Sequence, residues 1–147
     1  MSELLTPEDT ERVMRILVMR IMDGAAEGVD WGVNVWVDLS KMNAPIGTPE
    51  TTGIPTYIVS EAYKRSIRRR RAKWVSSVAR GGVSAGGYIV NPNTGKKVDY
   101  ALALEFGNSK QAPTGVLIQT AVSNSDKILA RMAAGVKNQI FRGDIVI

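Results

Sequence analysis

Apolar residues recur at three- and four-residue steps near the start of the chain. Val13, Met14, Leu17, Val18, Ile21 and Met22 trace one stripe, the period of an amphipathic helix. The residues ahead of it supply a start signal. Thr6 is a capping residue, Pro7 suits the first helical position, and Asp9 sits where a capping-box acid reaches back. The stripe predicts a helix that ends near Gly24 to Gly28. From Asp30 the period changes to two. Trp31, Val33, Val35, Val37 and Leu39 alternate with Gly32, Asn34, Trp36 and Asp38, which predicts a strand with one buried face.

Residues 40 to 56 carry three Pro and two Gly with little periodicity and read as a long loop, a length often kept for function or for an interaction arm. Ile58, Ala62 and Tyr63 are spaced for a short helix, and the pattern from Ala72, "KWVSSVARG", fits a strand. "GGYIV", the loop "NPNTGKK" and "VDYALALEF" predict a hairpin. Its second arm has Val98, Tyr100, Leu102, Leu104 and Phe106 alternating with Asp99, Ala101, Ala103 and Glu105, the clearest strand signal in the chain. Ile118, Ala121, Val122, Ile128, Leu129, Met132, Val136 and Ile140 then trace a second long helix with a break at Ser123 to Asp126, and "GDIVI" reads as a last strand or arm. This order predicts an α+β fold: a mostly antiparallel β-sheet packed against an N-terminal and a C-terminal helix, with long loops or β-arms. No repeat or linker divides the 147 residues, so residues 1–147 are expected to form one domain.

Composition narrows the chemistry. The chain has no Cys, so it offers no disulfide, thiolate ligand or cysteine nucleophile, and no His, the usual general base and commonest metal ligand. Ser66, Ser76 and Ser77 have no base beside them in the sequence to activate them. "GGVSAGG" at 81 to 87 lacks the Lys-Ser/Thr ending of a phosphate loop and reads as a flexible turn or bulged strand. Asp99 and Glu105, on a strand, would stand about 20 Å apart, too far for a shared catalytic site. The expectation is a protein that is not an enzyme and uses no cofactor or metal. No apolar run reaches the ~20 residues of a membrane span and the N-terminus is acidic, so no membrane role is expected.

Charge is concentrated. Lys64, Arg65, Arg68, Arg69, Arg70, Arg71 and Lys73 are seven of the nineteen basic residues, and without them twelve basic residues face fourteen acidic ones. Three readings compete for this run: phosphates of DNA or RNA, carboxylates at a protein interface, or a solvated strand edge that discourages unwanted pairing. As a strand, the run puts Arg68 and Arg70 on one face and Arg69 and Arg71 on the other. Both faces of a buried sheet cannot hold that charge, so the run is expected at an edge, a β-arm or an assembly surface. Only Tyr63 and Trp74 flank it, which is sparse aromatic interleaving for a dedicated nucleic-acid reader.

At "VDYALALEFGNSKQAPTGVLIQTAV" the chain resembles the neck and tail-completion proteins of long-tailed phages, also called head–tail joining or minor tail proteins. The resemblance rests on Tyr100-Ala101, on Leu104-Glu105-Phe106-Gly107 followed by Asn108 where Thr is usual, on the loop Ala112-Pro113, and on Leu117 to Ala121 at the start of the last helix. It covers residues 98 to 140; Thr52-Gly53 and Arg65-Ser66-Ile67 echo an upstream element loosely. The second Pro of the helix start is absent and the 40 to 56 loop is longer than in the family. The resemblance implies a non-enzymatic virion subunit, assembled in the bacterial host's cytoplasm. It would form a homo-oligomeric ring, commonly six-fold, that completes the tail and meets head-side adaptor or connector proteins and the tail tube or terminator, with genomic DNA passing through. It also implies structural roles. Tyr100, Leu104 and Phe106 would pack the sheet, Gly107 would permit a turn beside the Pro113 loop, and Glu105 would anchor a loop or a neighbouring subunit. The basic run then becomes a candidate subunit-interface or DNA-facing surface. The alternative is a small basic nucleic-acid-binding protein that uses Arg68 to Arg71.

Overall fold

The computed structural model describes residues 6–44, 63–90, 95–107, 109 and 112–142, with the side chains of Tyr88, Ile89, Val98 and Tyr100 left aside. Of the loop expected over 40–56, residues 40–42 are helical instead, while 45–56, the helix positions Ile58 and Ala62, and the tail "GDIVI" lie outside those residues. In chain order the elements are α1 (Pro7–Met42), β1 (Arg68–Val75), β2 (Val78–Ser84), β3 (Tyr88–Val90), β4 (Lys97–Asp99), α2 (Tyr100–Phe106), α3 (Val116–Ser123) and α4 (Ser125–Ile140). The fold mixes helix and strand as expected, but the sheet is small. β1 pairs with β2 and β3 with β4, each pair a two-stranded antiparallel ribbon.

Helix α1 starts as its capping box predicts. The Asp9 N–H donates to Thr6 Oγ1 at 3.1 Å, and the Thr6 N–H and hydroxyl donate to Asp9 Oδ2 at 3.2 and 2.6 Å. Those bonds hold the Asp9 carboxyl below its ordinary range. The helix does not end at Gly24. It runs 36 residues, about 54 Å at 1.5 Å per residue, and absorbs the segment 30–39 expected as a strand.

The reason lies on α4. Gly24, Gly28 and Gly32 stand four residues apart, so they share one side of α1, and all are buried. A Cβ on Gly28 would lie 2.6 Å from the Met132 carbonyl oxygen and 2.6 Å from Val136 Cγ2, and a Cβ on Gly135 would lie 2.8 Å from the Gly28 Cα. The two helices therefore meet backbone to backbone at Gly28 and Gly135. Gly24 lies against the end of α4 at Gln139 and Ile140, and Gly32 against Met132 and the Ile128 carbonyl, so the helices run antiparallel. Glycine weakens an isolated helix by ~1 kcal/mol each. Here the close approach outweighs that cost. Two polar contacts flank the seam: the Glu27 carboxylate accepts from the Gln139 and Asn138 side chains, and the Arg131 guanidinium lies 4.6 Å from the Trp31 ring centroid.

The alternation over 31 to 39 hides a helical set. Val33, Val37 and Ser40 are buried at four- and three-residue steps, and Val33 and Val37 join Tyr63, Ile67, Ala101, Leu104 and Val116 in the core. That core sits under the C-terminal half of α1. The side chains of Met14, Val18, Met19, Ile21 and Met22, in the N-terminal half, are exposed, and no α1 residue before Gly24 is buried.

The second correction concerns residues 98 to 106. Only Lys97–Asp99 is strand; Tyr100–Phe106 is helix α2. Asp99 decides it, because its Oδ1 accepts from the N–H groups of Ala101 and Leu102 at 3.0 and 3.4 Å and caps the helix. Ala and Leu are also strong helix formers. Ala101 and Leu104, three apart, are buried, while Leu102 and Phe106 are exposed, so Phe106 does not pack a sheet. The expected break in the last helix falls at Asn124, between α3 and α4. Ile118, Val122 and Leu129 of the expected stripe are exposed, because Val116, Thr120 and Gly135 take the inward positions.

Replacing Gly28 with Val should lower the unfolding free energy by about 3 kcal/mol, an overpacking cost at a backbone contact. Gly86, where an added Cβ would have nothing within 4 Å, is the control. Its Ala variant should keep the wild-type urea midpoint to within about 0.5 kcal/mol. Equal midpoints for Gly28→Val and wild type would rule out the close crossing.

Candidate functional site: a basic ribbon and its anchor

The basic run divides between two elements. Lys64 and Arg65 lie on a helical turn at 63–66, and Arg68 to Arg71 and Lys73 lie on β1. Arg68 to Arg71 and Lys73 are all exposed.

The register of the β1–β2 ribbon sorts them by face. Arg68 pairs with Ser84, Arg69 with Val83 and Arg70 with Gly82; after a register shift, Lys73 pairs with Arg80, Trp74 with Ala79 and Val75 with Val78. Between Arg70 and Lys73 lie Arg71 and Ala72, but only Gly81 lies opposite them, so β1 carries a β-bulge of one extra residue. Val83 packs on the core, and a Cβ on Gly81 would lie 2.7 Å from Val29 Cγ1 and 3.2 Å from Val33 Cγ2 of α1. The face that carries Val83, Gly81 and Ala79 is therefore the one turned to α1, and Arg69 shares it. Its Nη1 donates to Asn34 Oδ1 at 3.1 Å, and the Ala72 N–H of the bulge donates to Asp30 Oδ1 at 2.7 Å. Asp30 and Asn34, one turn apart on α1, hold the ribbon in place.

The opposite face carries Arg68, Arg70, Lys73 and Arg80. Without the bulge, alternation from Arg68 and Arg70 would bring Ala72 and Trp74 outward; the extra residue substitutes Lys73. Arg80 lies outside the run and was not singled out from sequence. Only cross-strand pairing shows that it faces Lys73. No carboxylate lies within ion-pair distance of these four among the described residues.

The C-terminal motif forms a second anchor, which joins the Tyr63 turn, α2 and α3. Glu105 on α2 accepts a short hydrogen bond from the Tyr63 hydroxyl, and its Oε1 and Oε2 accept from the Leu117 N–H at 3.1 and 3.3 Å. The carboxylate thus serves the first turn of α3, where Gly115 gives no side-chain cap. The Leu117 carbonyl accepts from Trp36 Nε1 at 2.8 Å, which ties α3 to α1. Gly107 takes φ 75° and closes α2, Thr114 Oγ1 donates to the Leu104 carbonyl at 2.6 Å, and Pro113 is exposed. Tyr63 is 1% exposed, and burial first, then the Glu105 carboxylate, push its hydroxyl pKa far up.

Asp99 and Glu105 do not form a pair: the first caps α2 and the second anchors α3. No cluster of three or more Asp or Glu able to hold a metal occurs among the described residues, and no helix among them is long and apolar enough to cross a membrane. No protein-family model matches the chain, and neither a curated protein nor a solved structure does.

Tyr63→Phe should cost about 1–3 kcal/mol of stability, and Glu105→Ala, which loses both bonds, should cost more. The pH dependence has a defined sign. A phenol that stays protonated in the folded state beyond its unfolded pKa stabilises below about pH 10 and loses that contribution as pH rises, by about 1.4 kcal/mol per unit. The stability advantage of wild type over Tyr63→Phe should therefore shrink above about pH 10 in urea titrations. A constant difference from pH 8 to 11 would show that Tyr63 is not held this way.

Proposed function

We propose that this chain is a structural subunit of a tailed-phage virion. In this reading it assembles as a ring, of six copies by analogy with the family it resembles, at the neck that completes the tail and joins it to the head. The observation that carries the reading is the amount of large apolar surface left on well-formed helices. Met14, Val18, Ile21 and Met22 line the free half of α1; Leu102 and Phe106 on α2 and Ile118 and Val122 on α3 stand outward, Phe106 at 69% and Val122 at 70% exposure. Monomeric soluble proteins rarely expose that much contiguous or repeated apolar surface without using it. A ring requires a heterologous contact, in which one patch meets a different patch on the next copy. The α1 stripe and the α2–α3 residues are two such unlike patches. Glu105, which the resemblance marked as an anchor, serves here within the chain and leaves the apolar surfaces to meet neighbours.

Two double variants test this, Val18→Asp with Met22→Asp and Phe106→Asp with Val122→Asp. Size-exclusion chromatography with light scattering should show rings for the wild type and monomers for each double variant, which should remain folded by circular dichroism. Mixed, the two variants should stop at a heterodimer, because each keeps one working patch. A wild type that stays monomeric at every concentration and is missing from purified virions would refute the assignment.

A further inference from the structure

We infer that the outward face of the β1–β2 ribbon, made of Arg68, Arg70, Lys73 and Arg80, is a contact surface for the phosphate backbone of duplex DNA. The inference stands apart from ring assembly, which the apolar patches carry.

Four features select this partner. The four cations share a face, and none has a carboxylate within ion-pair distance among the described residues. Lys73 and Arg80 lie directly opposite each other, an arrangement that is unfavourable between like charges until an anion lies across both. The cross-strand neighbours of Arg68 and Arg70 are Ser84 and Gly82, so small residues leave the guanidinium groups unobstructed. Residues two apart on a strand repeat at about 6.7 Å, about twice the 3.4 Å axial rise per phosphate of one DNA strand.

An acidic protein surface fits less well. Protein interfaces centre on buried aromatic or aliphatic anchors ringed by polar groups. Here the aromatic residue of the ribbon, Trp74, and the apolar Val83 belong to the face turned toward α1, and the outward face has only Val75 and Val78, at its turn end. Clustered cations without an apolar anchor match a uniform polyanion. Such contacts position the duplex and read no sequence.

The bulge makes the inference testable, because it separates neighbours in the run. Fluorescence anisotropy with a labelled duplex should show wild-type affinity falling about 150-fold between 50 and 200 mM salt, as expected for four neutralised phosphates. Lys73→Ser alone should weaken this dependence by the share of one phosphate, about 3.5-fold over the same range. Replacing Arg68, Arg70, Lys73 and Arg80 together by Ser should abolish binding while ring formation persists. Arg69→Ser, on the face toward α1, should leave the salt dependence unchanged. Because Lys73→Ser and Arg69→Ser are single surface changes, the comparison survives if the fourfold variant folds poorly. Equal effects of Lys73→Ser and Arg69→Ser would overturn the inference. So would no binding to duplex at 50 mM salt alongside binding to poly-glutamate, which would make the surface one for acidic protein. Loss of rings with DNA binding intact would count against the assembly reading alone.

Discussion

The structure depends on how closely two backbones approach each other. Because Gly28 and Gly135 have no side chains, α4 lies directly on α1, and a Cβ at either site would collide with backbone. Dispersion and backbone contact along this seam replace the interdigitated side chains of ordinary helix packing. The cost is a helix weakened at Gly24, Gly28 and Gly32; the gain is that the middle of α1 is fixed firmly enough to carry everything else. The ribbon and α3 attach to α1 and its cap through Asp30, Asn34, Trp36 and Asn43, and Tyr63 shares the core with Val33 and Val37 of α1.

Legibility from sequence followed from how local each signal was. The start of α1 was readable because its cap, Thr6 to Asp9, is complete within four residues. The β3–β4 hairpin and the break at Asn124 were readable for the same reason. The stretch from Trp31 to Leu39 misled because Val at every second position satisfies a strand template while Val33, Val37 and Ser40 satisfy a helical one. The deciding signal was the four-residue spacing of Gly24, Gly28 and Gly32, of which Gly24 and Gly28 taken alone read as a stop. What makes those glycines helical is α4, a hundred residues later in the chain. In the middle of "VDYALALEF", from Tyr100 to Leu104, the alternation was of large and small apolar residues, not of apolar and polar ones, and Asp99 ahead of an Ala/Leu run was an available cap signal.

The candidate site was half readable. Charge arithmetic placed an exposed basic edge at Arg68 to Lys73, and that is where the structure has an exposed strand. Its working membership was not readable, because it depends on a cross-strand register and a bulge. Arg80 enters by pairing, and Arg69 leaves by its contact with Asn34. Glu105 stood out as a motif residue, but its partners, Tyr63 and Leu117, are 42 and 12 residues away and only tertiary structure brings them to it.

The bulge opposite Gly81 has one more consequence. Since side chains alternate along a strand, one residue more or fewer between Arg70 and Lys73 would exchange the two sides of the outer ribbon: Trp74 would turn outward and Lys73 inward, with the amino-acid composition almost unaltered. The charged surface is therefore encoded by the parity of residue count as much as by residue identity. Single-residue insertions and deletions in this stretch, more than substitutions, are the changes its surface chemistry is least able to absorb.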